Sequence, residues 1–208
     1  MYYLTEEIKF PNIENATSEG LLAVGGDLRP ERLILAYKSG IFPWFDDDRF
    51  IMWWSPDPRF VLFPKKLKVS KSMKKLFKNN SFKTTVNQAF QEVITECAKI
   101  DRPEQAGTWI TQNMIDAYTK LFEMGHAKSI EVWFDDTLVG GLYGVDLNNS
   151  IFCGESMFSK VDNASKFGFI HFVKHSNYKL IDCQVYTKHL ESLGAEFISR
   201  DDFIKLLN

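Results

Sequence analysis

Residues 129–155, SIEVWFDDTLVGGLYGVDLNNSIFCGE, read as strand, turn, strand, turn, strand. Apolar, β-branched and aromatic residues fill the three runs. Asp135 with Asp136, and Asn148 with Asn149, supply the turns, because these side chains tolerate positive φ and hydrogen-bond their own backbone. Such a meander commits its segment to an antiparallel sheet. Toward the C-terminus the pattern predicts a helix over about 163–175, a strand at KLIDCQVY (179–186), a helix starting near His189 and a last strand at AEFIS (195–199). Toward the N-terminus, RFVLF (59–63) reads as a strand, and SKSMKKLFK (70–78) as a helix capped by Ser70. Further helices are expected over about 86–98 and 111–124. The order indicates an α+β fold around a mostly antiparallel sheet.

Residues 1–57 differ in texture, being rich in Gly, Pro and Trp. A helix over 30–38 is expected, with Pro30 in its first turn and Gly40 at its stop. The Pro-rich SPDP (55–58) marks a boundary, giving a small N-terminal domain (1–57) and a catalytic domain (58–208). The GGD at 25–27 reads as a tight turn rather than a phosphate loop.

No apolar run is long enough to span a bilayer, and the start, MYYLTEEIKF, lacks the basic and apolar regions of a signal peptide. Three cysteines, Cys97, Cys153 and Cys183, stand at unpatterned spacings. They fit a reducing cytosol and argue against a disulfide framework or a zinc site. His171 and His175 share a helical face, but HFVKH lacks the Glu of a zinc-hydrolase motif and no third ligand is visible, so no metal is expected.

The formal net charge is −2, yet its distribution is uneven. Between Asp57 and Glu92 there is no acid, while Arg59, Lys65, Lys66, Lys68, Lys71, Lys74, Lys75, Lys78 and Lys83 fall there. This predicts one basic docking patch on an anionic body. Lys71, Lys74, Lys75 and Lys78 occupy one face of the expected helix, and Met73, Leu76 and Phe77 the other. A solvated charged face usually mixes signs. This one has no acid, which favours contact with a phosphate backbone.

Local pattern leaves other residues open. Glu155, a lone carboxylate after the last strand of the meander, reads as a helix cap, a surface residue or the floor of a reaction site. Asp182 interrupts an apolar strand and shares a face with Gln184. It is either a base oriented by the amide or an acid satisfied by backbone N–H groups. Trp44, Trp53, Trp54 and Trp109 divide between core and a base-stacking surface. Cys153 and Cys183 lie in apolar stretches and read as inert thiols.

The strings EGLLAVGGDLRPERLILAYKSGIFPWF, WWSPDPRFVL, GTWIT, SIEVW, LVGGLYG, FCGESMFS, NASK and LIDCQV…HLESLGA together resemble the bacterial leucyl/phenylalanyl-tRNA–protein transferases, in order and over nearly the whole chain. The resemblance implies a cytoplasmic aminoacyltransferase that moves Leu or Phe, and less well Met, from aminoacyl-tRNA to proteins beginning with Arg or Lys, creating a degradation signal. It implies a C-terminal domain of the N-acetyltransferase-like (GNAT) type, no metal and no acyl-coenzyme A; a monomer is expected. It places Gln184 against the acceptor amine with Asp182 behind it as a proton relay, and Glu155 in the same site. In a rival scheme the terminal hydroxyl of the tRNA assists. By the same resemblance, Trp44 and Trp109 hold the terminal adenosine and the aminoacyl side chain, and Leu142, Phe152, Phe169, Phe172 and Ile181 line an apolar pocket. Lys71, Lys75 and Lys78 match positions used for the tRNA body, with Lys74 on the same face. Leu142 and Phe169 depart from the Met and Leu of relatives and reshape the pocket.

Two other functions compete. An acyl-coenzyme A-dependent N-acyltransferase would want an R-x-x-G-x-G loop, which DNASKFG (162–168) lacks. A tRNA-binding module without catalysis would bind and not transfer.

Overall fold

The structure is a computed structural model and describes residues 2–100 and 109–207. Gly107 and Thr108 of GTWIT lie outside the described residues. Two sheets organise the chain. The smaller contains β1 (Tyr2–Leu4), β2 (Leu21–Gly25), β3 (Phe42–Pro43) and β4 (Met52–Trp54) in the order β1-β2-β4-β3. The larger contains β5 (Arg59–Leu62), β6 (Lys83–Val86), β7 (Ala127–Phe134), β8 (Thr137–Asp146), β9 (Ile151–Ser159), β10 (Leu180–Gln184) and β11 (Glu196–Ile198). Its order is β11-β5-β10-β9-β8-β7-β6. Every neighbouring pair in it is antiparallel except β9–β10, so the sheet is mixed.

The meander forms as its turn residues predict. Asp135 and Asp136 both have positive φ, 44° and 60°, the geometry of a two-residue hairpin whose twist matches the flanking strands. The strands are apolar on both sides because helices cover both faces. On one face α2 (Lys71–Lys78) and α5 (Ala164–His175) close over Phe60, Ile130, Leu142, Phe152 and Ile181. On the other, α1 (Pro30–Lys38), α3 (Phe90–Lys99), α4 (Gln112–Glu123) and α7 (Arg200–Leu207) close over Val61, Tyr143, Val145 and Cys153. That second core continues into the small sheet through Leu22, Ala23, Phe42 and Trp53.

Helix ends follow local chemistry. Ser70 accepts the N–H of Met73 at the start of α2, and Thr111 that of Met114 at the start of α4. The expected helix over 86–98 begins later, at Phe90. Val86 instead ends the strand formed by residues 83–86, KTTV, which is β6, an edge strand paired to β7. Their β-branched side chains suit a pleated edge better than a helix. The chain after 199 adds α7, whose Phe203 and Leu207 are buried. A short helix α6 (Lys188–Ser192) precedes β11.

One departure positions the site. The strand expected over 179–186 stops at Gln184, whose φ is +62°. β10 therefore pairs with β9 only through Leu180, Ile181 and Asp182, opposite Ile151, Phe152 and Cys153. β9 runs on to Ser159 along β8 alone. The two parallel strands part after Cys153, and a cleft opens between them.

Candidate active site

A cavity of about 410 Å³ fills this cleft. Gly154, Glu155, Ser156 and Met157 of β9 form one wall, and Asp182, Cys183 and Gln184 of β10 with Val185 form the other. Leu142, Phe169 and Ile181 make its apolar depth, while Trp44 and Trp109 also line it. Five of the residues expected around an adenosine and an apolar side chain thus converge. Phe152 and Phe172 do not reach the cavity lining. They pack edge to face at 4.7 Å in the core behind it.

Glu155 sits in the cleft, half-buried. Gln184 Nε2 donates to its Oε1 at 2.7 Å and Tyr118 Oη donates to its Oε2 at 3.0 Å. The Tyr37 hydroxyl, fully buried, makes a short hydrogen bond with that of Tyr118. Burial pushes the Glu155 carboxyl up to about 7. The hydrogen bonds from Tyr37, Tyr118 and Gln184 oppose that rise, and the nearby Asp182 charge adds to it. Of the readings open for Glu155, helix cap and surface accident are both inconsistent with this setting.

Asp182 is fully buried, and both its oxygens are engaged. Arg59 Nε donates to Oδ1 at 2.8 Å and Arg59 Nη2 to Oδ2 at 2.7 Å. The backbone N–H of Gln184 also donates to Oδ1, at 2.9 Å. The link between Asp182 and Gln184 therefore runs through the main chain, and the side-chain amide turns to Glu155. Arg59 is itself buried between the rings of Phe42 and Phe203, at 4.6 and 4.7 Å, and reaches the carbonyl of Gly40. It does not belong to the basic surface patch to which its position in the sequence assigned it.

The tryptophans divide. Trp53 is buried and donates to the Gly25 carbonyl, whereas the Trp54 indole donates to the carbonyl of Trp44 at 2.7 Å and leans on its ring. Trp54 thus braces the cavity wall. Burial raises the Cys153 and Cys183 thiols, so both stay protonated and poorly nucleophilic.

Lys71, Lys74, Lys75 and Lys78 are all exposed on α2, and among the described residues none forms an ion pair. The helix is fixed from beneath by buried Met73 and by Phe77, which stacks on Phe167 of α5 at 4.0 Å. α5 also carries Phe169 into the cavity, so one helix supports both the lysine face and the pocket. Among the described residues, no group of three or more His, Cys, Asp or Glu could hold a metal ion, and no helix is long and apolar enough to cross a membrane. Tyr37, Tyr118 and Arg59 are the site residues that sequence reasoning missed. Each polar tip sits on an otherwise apolar face and needs a buried partner, which is the signal that marks it.

Comparison with known proteins bears on the family of the chain. The family model described as leucyl/phenylalanyl-tRNA protein transferase matches residues 61–208, and that of its N-terminal domain matches residues 26–57. A protein of Flavobacterium johnsoniae named leucyl/phenylalanyl-tRNA–protein transferase is 57% identical, covering 100% of this chain and 99% of its own. One of the same name from Escherichia coli O1:K1 is 53% identical, over 97% of this chain and 86% of its own. Among solved structures, a GCN5-related N-acetyltransferase from Kribbella flavida aligns at a TM-score of 0.38 and 9% identity, over 85% of this chain and 63% of that one; it is too distant to inform the chemistry. From its second sheet to its final helix, and in the segment that precedes them, the chain belongs to the leucyl/phenylalanyl-tRNA–protein transferase family.

Proposed function

We propose that this chain is an aminoacyltransferase that moves Leu or Phe, and less well Met, from aminoacyl-tRNA to the α-amine of proteins beginning with Arg or Lys, marking them for degradation in the cytoplasm. The observation that carries this reading is the cavity. It joins an apolar depth, two tryptophans and the hydrogen-bonded carboxylate of Glu155, which suits an apolar aminoacyl group, a terminal adenosine and a cationic acceptor. We take residues 1–57 as a small domain supplying Trp44 and Tyr37, and residues 58–208 as the GNAT-like catalytic domain.

The aminoacyl ester is already activated. The acceptor amine, with an ordinary pKa of about 8, must first lose a proton. Glu155, ionised above about 7, takes that proton and passes it to solvent. Gln184 commits Nε2 to Glu155, so its amide oxygen is left to accept a hydrogen bond from the amine and aim it. The amine nitrogen then attacks the ester carbonyl carbon. The C–N bond forms, the bond to the ribose oxygen breaks, and a second amine proton goes to that oxygen. Asp182 acts from behind, holding the Gln184 backbone, with Arg59 neutralising it. Leu142, Phe169 and Ile181 receive the aminoacyl side chain, and Phe152 and Phe172 back that wall. Lys71, Lys74, Lys75 and Lys78 receive the tRNA body. No cofactor is required, because the ester supplies the driving force.

The test uses labelled Leu-tRNA and a peptide with N-terminal Arg. Transfer that depends on Glu155 supports the reading. Binding of Leu-tRNA without transfer points to a tRNA-binding module, and tight binding of acetyl-coenzyme A to an acyl-coenzyme A enzyme.

A further inference from the structure

Glu155 has two hydrogen-bonded oxygens, and the donors differ in origin. Gln184 belongs to β10, which forms the opposite wall of the cleft. Tyr118 comes from α4 and is backed by Tyr37 from α1, 81 residues earlier in the chain. Both tyrosines are fully buried, and Tyr118 packs edge to face on Tyr143 at 5.7 Å. A buried hydroxyl needs a partner, and the carboxylate closes this chain of hydroxyls. The order of donation follows: Tyr118 gives its proton to Glu155, so its oxygen accepts from Tyr37. Each bond polarises the next, so the second tyrosine strengthens the first.

We propose that Tyr118, with Tyr37 behind it, is a positioning element of the transfer site that orients the Glu155 carboxylate and stabilises its charge. The proposal rests on the reading of Glu155 as the proton acceptor. Neither tyrosine touches the substrate in this scheme; each acts through Glu155. The remaining groups around Glu155 are Asp182 on β10, whose charge is matched by Arg59 of β5, and Cys153 on β9, kept protonated by burial. His189 lines the same cavity, and burial keeps it neutral at pH 7. The tyrosines and Gln184 are therefore the groups that favour the charged carboxylate, against burial and Asp182.

The test compares Tyr118→Phe and Tyr37→Phe, which keep ring and packing and delete one hydroxyl. Two readouts are used: the pH profile of single-turnover transfer from Leu-tRNA, and the titration of Glu155 followed by carbon NMR on Glu-labelled protein, assigned with Glu155→Gln. Loss of a hydroxyl that favours the carboxylate moves its titration upward by about one pH unit in Tyr118→Phe, and upward as well in Tyr37→Phe. The acid limb of the transfer profile moves with it, while the Leu-tRNA affinity of the folded variants stays near wild type. An upward shift in both variants supports the proposal. Lost activity with an unshifted limb and unshifted titration overturns it, because that is a packing effect alone, and unchanged behaviour in both variants overturns it too. Absence of transfer by the wild-type enzyme would instead defeat the proposed function, and the NMR titration would still decide the role of the tyrosines.

Discussion

Replacing Arg59 by Met asks whether Asp182 is a base or a buried anchor. Both side chains of the pair are at most 2% exposed, joined by two hydrogen bonds of 2.7 and 2.8 Å. Removing one partner of such a pair strands a buried charge and costs about 3–5 kcal/mol. The guanidinium also lies between two phenylalanine rings, an arrangement worth about 0.5–2 kcal/mol when desolvated. Arg59→Met fills much of the same volume, so little of the loss comes from a cavity. Asp182→Asn should cost a similar amount, since its amide would point N–H groups at Arg59 or at the Gln184 N–H. The double variant should be less destabilised than the sum of the two, with a coupling of roughly 2 kcal/mol or more. Urea unfolding followed by circular dichroism measures all four corners of the cycle. Single-turnover transfer at saturating Leu-tRNA adds the functional corner: Arg59→Met should slow transfer about as much as Asp182→Asn, because both release the Gln184 backbone. Native stability in Arg59→Met with full transfer, beside a dead but stable Asp182→Asn, would refute the anchor and restore Asp182 as the base.

Three further outcomes are expected. Glu155 has a raised folded pKa of about 7, so the folded state holds its proton where the unfolded state has released it. Its contribution to stability therefore falls as pH rises from about 4.5 to 7, and urea unfolding of Glu155→Gln should gain on wild type across that window, by at most about 3 kcal/mol; a pH-independent difference would contradict the shift. Reversing Lys71, Lys75 and Lys78 to Glu should weaken tRNA binding and reduce the slope of log K against log salt by about one per lysine engaged; an unchanged slope would direct the tRNA elsewhere. Phe169→Leu, which enlarges the apolar depth, should raise the use of Phe-tRNA relative to Leu-tRNA by about tenfold, read in a competition assay; an unchanged ratio would remove Phe169 from side-chain selection.

Local chemistry explains what could be read in advance. The hairpin at Asp135 and Asp136, the Ser70 cap and the helix at Pro30–Lys38 depend on neighbours in sequence, and the structure contains them as expected. The resemblance to a family supplied the lining residues Trp44, Trp109, Leu142, Phe169 and Ile181, which no periodicity could gather. Long-range pairs stayed hidden. Arg59 reads as one more cation in a basic window, and only its partner 123 residues away reveals it as buried. The short strand β6 is not legible beforehand, and its last residue, Val86, falls within the helix expected over 86–98, because four β-branched and basic residues before an amphipathic helix give no register of their own. The small sheet of the N-terminal segment escaped for the same reason: its strands are two to five residues long and their pairing is not local.

The end of β10 carries a cost of its own. Gln184 holds a left-handed backbone, with φ at +62°, a conformation that a long side chain adopts at an expense of about 1–3 kcal/mol. Glycine at 184 would relieve that strain and remove the amide that grips Glu155. Selection for heat resistance alone would thus drift away from glutamine here, whereas selection for turnover retains it. Residue 184 is a point at which durability and catalysis pull in opposite directions, and any thermostabilised version of this enzyme has to keep it fixed.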